Sequence, residues 1–136
     1  TAPQRDATDR RMRAVPMPCR PGQADVAAGR TLGQLFGAEW PAQPQAARRT
    51  PAQPVNLGRV DWPAQNGQGM ATSAGLVDAQ GKPLRAKVLC ASTQALVAPV
   101  EAAAMKGSYR AATFDGAAGT GVALVTWRVG EPPRKP

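Results

Sequence analysis

The chain has 136 residues, a formal net charge of +8 and no histidine. Its length suggests one domain, and a hydrophobic content of 43% allows a modest core with few aromatic side chains. The lack of histidine excludes histidine acid–base catalysis, Ser-His-Asp and Cys-His nucleophile systems and most zinc sites. Neither a Walker A loop nor a G-x-G-x-x-G motif occurs. We therefore predict a protein that is not an enzyme and has no catalytic residue, metal, cofactor or small-molecule substrate.

The positive charge has two interpretations. A basic chain attracts acidic partners such as nucleic acid, anionic lipid head groups or polyanionic cell-wall material. Alternatively, the Arg and Lys side chains keep an alanine-rich protein soluble. Because the basic residues are scattered and no aromatic residues are interleaved with them, we do not expect nucleic acid to be the partner.

The two cysteines, Cys19 and Cys90, lie far apart and form no CxxC motif. Such a pair fits one disulfide in an oxidising compartment, and the alternative is two buried free thiols. We favour the disulfide because Cys19 lies in a proline-rich segment with little else to anchor it. In the chain-entropy model, closing a loop of this length stabilises the fold by about 4 kcal/mol.

The first part of the chain is rich in proline. Residues 1–22 predict a flexible lead that becomes extended towards its end. The chain begins at Thr1 without Met, which we interpret as a mature form or a chain whose targeting segment has been removed. Apolar residues at helical spacing predict a helix over residues 25–38, although three glycines weaken it. Residues 41–56 contain four prolines and predict an extended linker without helix or central strand.

Two strands and a tight turn follow. Residues 69–79 and 84–91 have the composition of strands, and Gly81 is available for a positive φ in the turn between them. In the second strand an apolar set alternates with a basic set, namely Ala86, Val88 and Cys90 with Arg85 and Lys87. This alternation is typical of an antiparallel sheet with one buried face, and it predicts that Cys90 lies on the apolar face or at its edge.

The remaining elements complete a small α+β fold. Pro99 and Gly107 suit the start and the end of a short alanine-rich helix over residues 100–106. A short extended stretch and a turn lead to a final strand over residues 121–129, whose side chains alternate between two faces. We therefore predict an antiparallel sheet of about three strands with a short helix packed on one face.

The predicted domain organisation has three parts. A Pro/Ala-rich lead over residues 1–56 precedes the α+β domain over residues 57–130, and residues 131–136 form a tail.

Several segments of the second half together resemble a known family. They are Trp62-Pro63, the strand from Gly69 into Val77-Asp78-Ala79-Gln80-Gly81, Lys87-Val88-Leu89-Cys90-Ala91-Ser92, Glu101-Ala102-Ala103-Ala104, and the stretch from Tyr109 to Gly116. In this order they resemble the C-terminal domain of TonB-type energy transducers, over about residues 57–129. The proline-rich linker upstream is similar to a transducer's spacer. The resemblance implies a periplasmic interaction domain that adds a short peptide of an outer-membrane receptor to its sheet.

The resemblance implies that the last strand is the partner-binding edge, with the aromatic–proline pair nearby. The candidate residues are Gly121, Val122, Ala123, Leu124, Val125, Thr126, Trp127, Arg128 and Val129, together with Trp62 and Pro63. We expect a protein partner, either an outer-membrane receptor or a subunit of an envelope complex. The alternative is that this edge is covered by residues 1–56 or by a second copy of the chain in a homodimer.

Two other functions stay open on the sequence alone. One is an accessory subunit of an envelope-spanning secretion or pilus machine, which would dock on a larger ring through a similar α+β module. The other, less favoured, is a basic binder of nucleic acid or other polyanions, whose affinity would fall steeply as the salt concentration rises.

Overall fold

The computed structural model describes residues 19–41 and 44–130, so the predicted tail and residues 1–18 and 42–43 of the predicted lead lie outside the described residues. The described residues form nine strands and two α-helices, together with three 3-10 helices of three residues each. The strands are β1 (Ala24–Asp25), β2 (Arg49–Thr50), β3 (Gln53–Asn56), β4 (Gly69–Val77), β5 (Pro83–Ala91), β6 (Ser108–Arg110), β7 (Ala112–Phe114), β8 (Ala117–Gly119) and β9 (Gly121–Val129). The α-helices are α1 (Leu32–Phe36) and α2 (Val97–Met105).

Four antiparallel strands form the main sheet in the order β1-β5-β4-β9. Its three long strands are those that the sequence predicts, and the two-residue β1 is added to them. The turn between β4 and β5 also forms as expected: Gly81 has a φ of 83°, and the Asp78 side chain accepts hydrogen bonds from the Gln80 and Lys82 N–H groups. With α2 packed against β4 and β5, the predicted α+β class is confirmed.

The inner face of the sheet packs against α2, whose buried residues are Val100, Ala103 and Ala104. These small side chains let the helix lie close to the strands, and they meet every second side chain of β9 in one core cluster, which we call the inner cluster. Trp127 belongs to this cluster, and its indole Nε1 donates a hydrogen bond of 2.8 Å to Ser73 Oγ. The one polar side chain that is buried in the described sheet is thereby satisfied.

Tyr109 closes the same cluster just beyond the end of α2. Its hydroxyl donates a hydrogen bond of 2.8 Å to the Ala104 carbonyl. Burial raises the pKa of the Tyr109 phenol above its ordinary value of 10.0. The raised pKa keeps the phenol protonated, and so able to donate this hydrogen bond, further into the alkaline range.

A β-bulge in β5 corrects the predicted position of Cys90. Thr72 pairs with Cys90 but the next residue of β4, Ser73, pairs with Val88, so Leu89 is an extra residue without a partner in β4. The extra residue reverses the alternation, because one inserted residue moves the following side chain to the other face. Val88 therefore lies in the inner cluster, whereas Leu89 and Cys90 both lie in a second cluster on the outer face.

The predicted helix over residues 25–38 is wrong over its first half. Only Leu32–Phe36 is α-helical, because Ala28 and Gly29 have φ values of 53° and 76°, which a right-handed helix does not allow. The helix begins at a capping box in which Thr31 and Gln34 exchange side-chain and backbone hydrogen bonds. The spacing of the apolar residues does not indicate that the helix begins only at Leu32.

Residues 19–40 form what we call the outer layer, which covers the outer face of the sheet. Ala27, Leu32 and Phe36 are buried there against side chains of β4 and β5, and the Phe36 ring stacks on Trp40. The members of β4 and β5 in this outer cluster are Ala74, Leu76, Leu89 and Cys90. The sheet is thus covered on both faces, and not on one face only.

The proline-rich segment before residue 57 contributes two peripheral strands. β2 pairs with β7, which also pairs with β8, and β3 pairs with β6. Pro54 lies in β3, whose only partner among the described strands is β6, so a proline without an N–H is tolerated there. The predicted extended linker is therefore wrong over Arg49–Thr50 and Gln53–Asn56, which are paired strands of the fold.

The Glu101 carboxylate supports the bulge from α2, because it accepts a hydrogen bond of 3.0 Å from the Val88 N–H. Replacing Glu101 with Ala leaves this part-buried donor without an acceptor, and we expect unfolding to become easier by about 1–3 kcal/mol. Chemical denaturation with circular dichroism measures the change.

The control is Glu101→Gln, whose side-chain oxygen can still accept the Val88 N–H. We expect this variant to retain most of the stability. Equal losses in the two variants would contradict the role that we assign to the hydrogen bond.

Candidate functional site

Cys19 and Cys90 form a disulfide with Cα atoms 5.6 Å apart, as the sequence predicts. The bond joins the start of the outer layer to the end of β5, where Ala24 and Asp25 also pair with Ala91 and Cys90. The Ala27 N–H donates to the Leu89 carbonyl at the bulge. The disulfide therefore anchors the chain along the outer edge of β5.

The β5 edge of the sheet carries several features that discourage pairing with another strand. Pro83 opens the strand without an N–H, Leu89 forms the bulge, and the Glu101 carboxylate occupies the Val88 N–H. β1 covers the last two residues of this edge. Bulges, prolines, inward-pointing charges and short covering strands are the means by which natural sheets protect their edges.

Among the described residues, the opposite edge, β9, shows none of these features. It pairs with β4 over nine consecutive residues, from Gly121 opposite Val77 to Val129 opposite Gly69, without any shift of register. It contains no proline. Within residues 19–41 and 44–130, β4 is the only strand that pairs with it. β3 and β7 contact β9 but pair with β6 and with β2 and β8 instead.

The direction of the backbone groups in β9 follows from the neighbouring strands. Met70 exchanges hydrogen bonds with Ser92, and the Asp78 N–H donates to the Lys82 carbonyl, so the even-numbered residues of β4 turn towards β5. The odd-numbered residues of β4 therefore bond to β9, in pairs such as Ser73 with Val125. The even-numbered residues of β9, which include Val122, Leu124 and Thr126, turn their N–H and C=O groups away from the sheet.

The side chains of β9 divide in the same way. Gly121, Ala123, Val125, Trp127 and Val129 are buried on the inner face. On the outer face, Val122 is half-buried against the outer cluster, Leu124 is 42% exposed, and Thr126 and Arg128 are exposed. A strand added at this edge would thus meet Leu124 and Thr126 on the outer face of the sheet.

Trp62 and Pro63 lie at the carboxyl end of β9. The Trp62 indole donates a hydrogen bond of 2.9 Å to the Gly67 carbonyl, and Gly130, which follows β9, packs directly on that carbonyl. Trp62 is half-buried against the inner cluster, whereas Pro63 is exposed. The predicted partner-binding residues therefore lie along one edge of the sheet, and the Trp62 side chain also packs against the inner cluster. The cysteines lie apart from them, on the β5 side.

The described residues carry a net positive charge, and most of their carboxylates make contacts within the fold. Described residues include 11 Arg and Lys but only six Asp and Glu. Five of the six carboxylates take part in hydrogen bonds or an ion pair, namely Asp25, Glu39, Asp78, Glu101 and Asp115. Sequence reasoning did not find these roles, because each depends on a tertiary or turn contact. An acidic or neutral partner suits this surface better than a basic one.

No protein-family model, curated protein or solved structure matches the chain. In the described part of the chain, no group of three or more His, Cys, Asp or Glu side chains could hold a metal ion. None of the described helices is long and apolar enough to cross a membrane.

Proline substitutions at two adjacent positions test which backbone groups of β9 face outward. Thr126→Pro removes an outward N–H, whereas Val125→Pro removes an N–H that bonds to β4. We expect Val125→Pro to be more destabilising than Thr126→Pro by about 2–3 kcal/mol, because only Val125→Pro breaks the β4–β9 ladder. Denaturant unfolding measures both variants, and similar losses would mean that the assigned directions are wrong.

Proposed function

We propose that this chain is a non-enzymatic interaction domain of the periplasm, similar to the TonB C-terminal type, that binds an extended segment of a partner protein. The segment adds to the sheet as a new strand beside β9. In this mode the backbone hydrogen bonds supply affinity, and the alternate side chains supply specificity. The partner is an outer-membrane receptor or a subunit of an envelope complex.

The observation that carries the proposal is the contrast between the two edges of the main sheet. The β5 edge has a bulge, a proline at its first residue, the Glu101 carboxylate bound to a backbone N–H, and the covering strand β1. In contrast, β9 pairs with β4 over nine residues without a shift of register. A long, regular edge strand is a liability for aggregation, so proteins usually protect it. In this sheet the β5 edge is protected and the β9 edge is regular. This difference is typical of a sheet whose regular edge binds a partner strand.

Two further observations support the compartment and the partner class. The Cys19–Cys90 disulfide favours an oxidising compartment, of which the periplasm is one. Leu124, exposed on the outer face of β9, gives an added strand an apolar neighbour. Cross-strand pairs of this kind contribute roughly 0.2–1 kcal/mol each, so they can discriminate between peptides.

Calorimetric titration with synthetic peptides from the plug domains of outer-membrane receptors tests this function. We expect Thr126→Pro to weaken binding at least about tenfold, which corresponds to about 1.4 kcal/mol, because the N–H that an added strand would use is lost. Thr126→Val is the matched control, since it keeps both the N–H and a β-branched side chain.

Three results would count against the proposal. Failure of every peptide to bind would reject the receptor version. Equal affinity of the Thr126→Pro and Thr126→Val variants would place the binding surface elsewhere. A dimer that Thr126→Pro dissociates, with no peptide binding at any protein concentration, would make a second copy of the chain the occupant of the edge.

A further inference from the structure

The outer layer, residues 19–40, is held on the sheet by few interactions apart from the disulfide. β1 forms only two residue pairs, and α1 is five residues long. The ion pair between Glu39 and Arg85 spans 3.0 Å, but both side chains are about half exposed, so it contributes little. The layer's other contacts are the buried side chains of Ala27, Leu32 and Phe36, the partly buried Leu35 and Trp40, and the hydrogen bond from the Ala27 N–H to the Leu89 carbonyl.

The fold beneath the layer has a core of its own. The buried residues of the inner cluster all lie between Ala52 and Val129, and from the outer layer only Val26 packs against them, partly buried. The outer cluster, in contrast, consists of layer residues on one side and sheet residues on the other. Removing the layer therefore divides the outer cluster and leaves the inner cluster whole.

We propose that the outer layer is a cover that a dithiol reductant releases. One thiolate of the dithiol attacks Sγ of the half-buried Cys19, the S–S bond breaks, and the Cys90 thiolate leaves and takes a proton from solvent. The second thiol of the dithiol then attacks the mixed disulfide and frees Cys19 as a thiol. Two electrons and two protons pass to the protein, and the dithiol becomes a disulfide.

Release uncovers an apolar surface and a strand edge at once. Ala74, Leu76 and Leu89 are at most 2% exposed under the layer, and they become solvent-accessible when it leaves. The edge of β5 at Ala91 and Cys90 loses its partner β1. The oxidised protein thus presents β9 as its open edge, and reduction adds a second, apolar surface on the β5 side. This inference does not depend on peptide binding at β9.

Hydrogen exchange with mass spectrometry on the full chain, with and without dithiothreitol, tests the cover. A disulfide that closes a sequence separation of 71 residues strongly limits opening. After reduction we expect amides in residues 24–36 to exchange on the order of 100-fold faster or more. Amides of β4 should keep their protection. A hydrophobic dye should gain fluorescence on the reduced protein only.

The double variant Cys19→Ala with Cys90→Ala is the control for effects of the reductant itself. It should behave like the reduced protein from the start and should not respond to dithiothreitol. If the variant fails to fold, reduction of the native chain still decides the question. Unchanged protection of residues 24–36 after reduction would overturn the proposal. Loss of protection in β4 as well would also overturn it, because the layer would then be a part of one cooperative fold.

Discussion

One extra residue in β5 decides how the two edges of this sheet differ. Leu89 has no partner in β4, and by reversing the alternation it turns Cys90 to the outer face. Only there can Cys90 reach Cys19 and anchor the outer layer. At the same bulge, the Val88 N–H donates a hydrogen bond to the Glu101 carboxylate of α2. Three features of the β5 side therefore depend on the bulge at Leu89. They are the disulfide, the covering strand β1 and the Glu101 carboxylate that accepts the Val88 N–H.

The β9 side is regular by contrast, and the proposed function rests on that difference. Its odd-numbered residues form hydrogen bonds to β4, and their side chains are buried in the inner cluster, so both interactions hold the strand in place. The backbone groups of Val122, Leu124 and Thr126 point away from β4, and their side chains lie on the outer face. Such a strand is already ordered by its pairing with β4. Adding a partner segment would therefore cost no further ordering entropy in β9 itself.

The sequence predicts those elements that are specified by the residues within the element itself. β9 alternates strictly, and the β4–β5 hairpin has a glycine at the position that needs a positive φ, so their existence and nearly their bounds follow from the residues. The bulge is hidden because Val88, Leu89, Cys90 and Ala91 are all apolar, so no change of polarity marks the reversal. The late start of α1 depends on two left-handed residues that spacing does not reveal. The strands β2, β3 and β6 are short, and their pairing is set by tertiary contact, whereas β7 and β8 form a local hairpin across Asp115 and Gly116.

The account depends most directly on the outward N–H groups of Val122, Leu124 and Thr126 in β9 being unpaired in the free protein. Residue-resolved hydrogen exchange by NMR measures this without any partner. We predict that the amides of Ala123, Val125 and Trp127 exchange at least about 100-fold more slowly than those of Val122, Leu124 and Thr126. Equal protection of the two sets would contradict the account, because it would mean that another segment or a second copy of the chain already pairs with this edge.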